Sequence, residues 1–352
     1  MILRGERLDR ATVLDRVGDL DQLGSITAAE FSDGPARGSR VLQLRSACGL
    51  QVDVLPDRGL DLGAASHDGL PLAWHSPRGF AAPGLTEPGG FGWARGFGGG
   101  LLSTCGLSSI GLPSEDAGES HGLHGRIGSI PAQDVTSRRF WAGDDLVLEI
   151  SGRVRETTLG GVGLELHRTI STVVGTGMLD IQDTVTNIGT VPAPVMFRHH
   201  INLGFPLVRD GDQIRLTPDM TAPVRSRDPL PATTQENWRT IVAPTPGAGE
   251  EVFQVSLNAE RPRVELVDPV TGSARIGIDW DAATLPHLLV WKYPRAGMNV
   301  LALEPSSHDD HGRAAARARG DLHDLDPGAQ TQFSTRISVY SSDAAERSTP
   351  NK

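Results

Sequence analysis

Leu146–Val154 (LVLEISGRV), Gly163–Val173 (GLELHRTISTV), Met178–Gly189 (MLDIQDTVTNIG) and Pro194–Ile201 (PVMFRHHI) follow one another closely, and each alternates apolar with polar side chains. Alternate residues of an extended chain point to opposite faces, so this two-residue period predicts strands with one face in a core. Glycines at Gly152, Gly160–Gly163, Gly175–Gly177 and Gly189 supply turn signals. Together these features predict a four-stranded antiparallel meander.

The pattern continues outward. Further strands are expected at Gln213–Thr217, Glu251–Val255, Arg263–Val267, Ala274–Trp280, His287–Trp291, Asn299–Glu304 and Gln332–Tyr340, with one short helix at Arg313–Arg319. Upstream, Arg40–Leu44 and Gln51–Leu55 read as a hairpin turning near Gly49, and Leu8 to Leu23 carries a loosely helical apolar spacing. Ser76–Gly122 is rich in Gly and Pro and shows little periodicity. Loops of that length inside a compact fold are usually functional or disordered, and Trp93, Arg95 and Phe97 argue against plain disorder and for packing or ligand stacking within it. No linker or repeat divides the chain, which predicts an all-β fold of one large sandwich over residues 1–340, followed by a polar tail at 341–352.

Composition excludes some classes of partner. The formal net charge of −10 disfavours nucleic acid and anionic membranes, which require a concentrated positive field. There is no apolar run of membrane-spanning length, and MILRGERLDR is charged where a signal peptide would be apolar, so a cytoplasmic chain is expected. The two cysteines, Cys48 and Cys105, form neither a zinc pattern nor a disulfide framework and are read as reduced thiols. The Gly98–Gly100 run lacks the spacing and the lysine of a phosphate loop.

Chemistry gathers in three motifs: GLHGR (Gly122–Arg126), PVMFRHHINLGFPL (Pro194–Leu207) and VLALEP (Val300–Pro305). Alternation directs His199 and His200 to opposite faces, so only one of them looks into a given cleft. Glu304 ends an apolar run and precedes a proline that favours extended backbone, which puts a carboxylate at the end of a buried strand. Arg58 reads either as a solvated turn residue or as a ligand for substrate.

These motifs, with VWK (Val290–Lys292) and LDPGAQTQFSTRISVY (Leu325–Tyr340), resemble in order those of the aldose 1-epimerase, or galactose mutarotase-like, superfamily. The similarity is strongest to its divergent branch, which includes deoxyribose mutarotase-like proteins. It implies a β-supersandwich with a sugar cleft and cofactor-free interconversion of α and β anomers. On that resemblance Glu304 is the general base and His200 the acid, with His124 assisting. Arg58, Arg95, Arg126, Asn202 and Lys292 become candidate ligands for sugar hydroxyls or carboxylates, and Trp291 or Trp74 a stacking platform. Two other classes stand beside this one. A metal-dependent sugar isomerase or lyase would use His121, His124, His200 and Glu304 as ligands, and a non-catalytic carbohydrate-binding protein would keep the fold alone.

Overall fold

The computed structural model describes residues 1–87, 89–218, 224–225, 238–257 and 259–340, so the expected tail at 341–352 lies outside the described residues. Among these, most strands gather into two large sheets, and every pairing between strands is antiparallel. Eight strands form the first sheet, in the order Gln133–Ala142, Asp145–Thr157, Gly163–Val173, Met178–Asn187, Gln330–Val339, Ala274–Trp280, Arg263–Val267 and Gln213–Thr217. Eleven strands form the second. Its centre runs His287–Tyr293, Val300–Ser306, Met196–Leu203, Leu102–Leu107 and Asp61–His67.

A continuous apolar layer fills the space between the sheets. It joins Leu148, Ile150, Leu166 and Ile181 of the first sheet to Leu44, Val54, Leu62 and Phe197 of the second, all essentially inaccessible. Phe197 stacks on Phe333 across the gap, with ring centroids 4.3 Å apart. Burying each such side chain is worth about 1.5–3 kcal/mol, so this layer is the main stabilising contribution. No described helix is long and apolar enough to cross a membrane.

Three expectations are corrected. The predicted meander holds for its first three members, although Gly152 lies inside the Asp145–Thr157 strand and is not a turn. The fourth, Met196–Leu203, crosses to the other sheet, and its place beside Met178–Asn187 is taken by the C-terminal strand Gln330–Val339. Its burial explains the crossing: all eight residues are buried, so both faces need a cover that the edge of the meander would not provide. Within the region read as irregular, Leu102–Leu107 is a strand. All six of its residues are buried, so it has no polar face and no alternation to reveal it.

The helix at Arg313–Arg319 forms as expected, while the helical spacing near the N-terminus resolves into two short turns, Arg10–Leu14 and Leu20–Gln22. Cys48 is partly buried and Cys105 fully so, and both are free thiols.

Candidate active site

Antiparallel register builds the centre of the site. Arg198 pairs with Ser306 and Ile201 with Leu303, which brings His200 level with Glu304 on the neighbouring strand. Side chains at Arg198, His200 and Asn202 share one face, and Phe197, His199 and Ile201 share the other. The first face opens onto a cavity of about 310 Å³ lined by His124, Arg198, His200, Glu304 and Asp310, with a wall of aromatic rings.

At the cavity floor, Arg198 Nη1 lies 3.0 Å from Glu304 Oε2 and 2.9 Å from Asp310 Oδ1, while its Nε donates to Ser306 Oγ at 3.1 Å. Burial alone would lower the pKa of Arg198, but Asp310 and Glu304 outweigh it and raise it above the ordinary value. The two carboxyl groups present acceptor oxygens on this floor, suited to hydroxyl donors. Glu304 Oε1 is 3.3 Å from His200 Nε2. The other ring nitrogen, Nδ1, lies 2.6 Å from Asn202 Oδ1. Burial, followed by the charge of Arg198, pushes the pKa of His200 down to about 3, so its ring is neutral at pH 7.

His124 enters from the GLHGR segment, and its ring centroid is 5.7 Å from that of His200. The segment turns sharply, with His124 at φ +57° and Gly125 at φ +74°. The left-handed conformation costs a side chain such as His124 roughly 1–2 kcal/mol. At Gly125 a Cβ would meet the carbonyl oxygens of Gly106 and Ser109 at 2.4 Å, so only glycine fits there. The Gly111 amide donates to His124 Nδ1 at 3.3 Å, which in the neutral ring leaves the hydrogen on Nε2.

The wall comes mostly from the Gly-rich region. Within the short helix Gly92–Gly96 and just after it, Trp93 and Phe97 fall four residues apart, on one side, and stack at 4.3 Å. Trp93 meets the ring of His124 edge-on at 4.6 Å. Trp74 packs on Phe97 at 5.7 Å and on Trp291 at 6.3 Å, completing an apolar enclosure over the polar floor.

Of the residues expected to bind substrate, Trp291 and Trp74 line this cavity and five do not. Lys292 follows Trp291 in the strand and so points to the opposite face, where it lies 3.4 Å from Glu251. Asn202 is fully buried beneath His200. Arg95 sits on the outer side of its helix, paired with Glu87. Arg58 points to the Ala81 carbonyl, 3.4 Å away. Arg126 reaches outward to Glu156 and Thr158. His121, the remaining ligand of the metal reading, is buried elsewhere, and among the described residues no group of three or more His, Cys, Asp or Glu side chains has metal-holding geometry.

His199 faces the space between the sheets. Its Nε2 is 2.7 Å from Asp183 Oδ2, its Nδ1 2.8 Å from Thr335 Oγ1, and Arg168 clamps Asp183 with two hydrogen bonds of 2.8 and 2.9 Å. Sequence reasoning missed Arg198 and Asp310 as members of the site. Arg198 was legible from its two-residue spacing to His200, whereas Asp310 follows a strand end and no periodicity marks it.

Comparison with solved structures gives the same architecture. A structure from Klebsiella pneumoniae, provisionally named an aldose 1-epimerase, superposes with a TM-score of 0.82 at 24% identity, covering 91% of this chain and 86% of that one. A galactose mutarotase-like protein from Clostridium acetobutylicum gives 0.59 at 10% identity, covering 90% and 98%. A galactose 1-epimerase from Lactobacillus acidophilus gives 0.51 at 11% identity, covering 90% and 99%. At these identities the likeness establishes the galactose mutarotase-like sandwich fold. No curated protein matches the chain. Residues 36–339 match the model of a domain of unknown function, DUF4432, and the chain belongs to that family.

Proposed function

We propose that the protein is a sugar mutarotase, an isomerase that interconverts the α and β anomers of a small sugar by opening and reclosing its ring. The observation that carries this reading is the 3.3 Å approach of Glu304 Oε1 to His200 Nε2 on the floor of an aromatic-walled cavity. The anomeric hydroxyl and the ring oxygen of a cyclic hemiacetal are bonded to the same carbon. Removing a proton from one and delivering a proton to the other therefore needs two proton-transfer groups within the width of one sugar ring.

In this reading Glu304 takes the anomeric proton, His200 protonates the ring oxygen as the C–O bond breaks, and His124 orients or assists from across the cavity. Arg198 holds Glu304 in place. Asp310 offers a second carboxylate to sugar hydroxyls, and Trp291, Trp93 and Trp74 present flat apolar faces to the C–H side of the ring.

The test is NMR of freshly dissolved sugars, mixed with the protein and followed for exchange between anomers. Catalysed exchange of at least one aldose, lost on Glu304→Gln, is expected. Sugar binding without exchange across a broad panel would instead mark a carbohydrate-binding protein.

A further inference from the structure

We infer that Asn202 is a positioning residue that fixes the tautomer of His200, so that a proton taken by Glu304 can pass to His200. The geometric part stands by itself; the catalytic consequence rests on the mutarotase reading.

The amide of Asn202 is locked in one orientation. Its Nδ2 donates to the carbonyl oxygens of Gly100 at 3.0 Å and of His200 at 2.9 Å, which commits both amide hydrogens. Oδ1 is thereby turned toward His200 Nδ1, 2.6 Å away. An amide oxygen only accepts, so the hydrogen of this contact belongs to Nδ1. A neutral ring so fixed presents the lone pair of Nε2 to Glu304 Oε1 at 3.3 Å, where it is the acceptor for a proton that the Glu304 carboxylate takes from the sugar.

The charged and titratable groups around this ring come from several elements. Glu304 lies on the adjacent strand, Arg198 two residues earlier on the same strand and Asp310 in the segment after Val300–Ser306, while His124 faces the ring from across the cavity. Trp93, Phe97 and Trp291 cover the remainder at centroid distances of 5.8, 5.4 and 5.6 Å. The enclosure opposes a standing charge on the imidazole, in keeping with its lowered pKa.

The pair then works as a relay. The anomeric O–H bond breaks and its proton goes to Glu304 Oε1, from which a proton passes to His200 Nε2. As the bond from C1 to the ring oxygen breaks, its electron pair goes to the ring oxygen, which takes the Nε2 proton, while the former hydroxyl oxygen becomes the aldehyde carbonyl. One proton enters and one leaves, and both side chains return to their starting states. Rotation about the C1–C2 bond and the reverse sequence close the ring on the other face. His200 need not be charged before substrate arrives.

The experiment is ¹⁵N NMR of histidine-labelled protein, with the His200 signals identified by their loss in His200→Gln. A neutral ring with its hydrogen on Nδ1 at pH 7 is expected, and in Asn202→Ala that fixed tautomer should disappear while anomer exchange falls roughly 10–100-fold, the usual effect of removing an orienting partner of a functional imidazole. In Asn202→Asp the facing carboxylate stabilises the imidazolium, which cannot receive a proton. Exchange should then be lost on the acid side at a higher pH than in the unmodified protein. A resting imidazolium, a hydrogen on Nε2, or an Asn202→Asp profile extended toward alkaline pH would overturn the inference. If the Asn202 variants do not fold, the ¹⁵N shifts of the unmodified protein decide the tautomer. The expected tautomer in a protein that exchanges no sugar would uphold the lock and end the relay.

Discussion

Arg198 Nη1 bridges Glu304 Oε2 at 3.0 Å and Asp310 Oδ1 at 2.9 Å, so one buried guanidinium neutralises part of a two-carboxylate floor. Replacing it with an apolar side chain of similar length leaves both acids buried without that cation. Arg198→Met is expected to cost about 3–5 kcal/mol in denaturant unfolding at pH 7, the range for breaking a buried ion pair from one side. A loss below about 1 kcal/mol would show that the carboxylates are solvated or protonated in the native protein.

Glu304→Gln separates charge from shape. The amide keeps the size and one accepting oxygen but removes the basic carboxylate, so sugar binding should persist while anomer exchange falls about 10²–10⁴-fold. Exchange at the parent rate would make Glu304 a structural partner of Arg198 and send the search for the base to Asp310.

Much of this arrangement was legible where alternation survives. The strands from Asp145 to Asn187 and the opposed directions of His199 and His200 follow directly from a two-residue period. Met196–Leu203 shows the limit: its pattern marks a strand, but a strand buried on both faces carries no sign of which sheet it joins. Leu102–Leu107 was hidden for the same reason. Arginines were the least readable side chains. Arg95 and Arg126 have long, flexible stems that reach carboxylates outside the cavity, the exposed Glu87 and the buried Glu156, whereas Arg198 is placed by the strand that carries His200. Register across the sheet, which sequence spacing does not disclose, decided the difference.

Acid should weaken the fold through the same buried imidazole. His200 titrates near 6.5 when unperturbed but at about 3 in the folded chain, held down by burial and then by Arg198. Between those values the unfolded chain binds a proton that the native state excludes, so stability falls as pH drops from about 6.5 toward 3. Asp183, lowered to about 2 because Arg168 and His199 outweigh its burial, extends the loss from about 3.8 toward 2. Asp61 runs the other way: burial raises it to about 6, so its contribution declines as pH rises from 3.8 to about 6. Unfolding midpoints at pH 7 and pH 5 should therefore differ less in His200→Gln than in the parent. An unchanged difference would place the acid sensitivity elsewhere.

The aromatic wall gives the last prediction, and it sets Trp291 against Arg95. Trp291 lines the cavity, its ring centroid 5.6 Å from that of His200, and its Nε1 is anchored to Glu250 Oε2 at 3.0 Å, which fixes the indole where a sugar ring would lie against it. Stacking of this kind acts on the bound substrate and the transition state alike, because the C–H face of the ring changes little as the anomeric bond opens. Trp291→Ala should therefore raise KM with a much smaller change in kcat. The expected rise is about 3–10-fold, from an aromatic contact worth roughly 0.5–1.5 kcal/mol. Arg95 occupies the neighbouring Gly-rich segment but points outward to Glu87, so Arg95→Ala should leave both constants near those of the parent. Anomer-exchange kinetics on the two variants, using a sugar the parent accepts, make the comparison. A fall in kcat for Trp291→Ala at unchanged KM would mean that the indole excludes water from the Glu304–His200 pair and does not hold the sugar. A large effect of Arg95→Ala would show that the Gly92–Gly96 helix turns inward when substrate is bound.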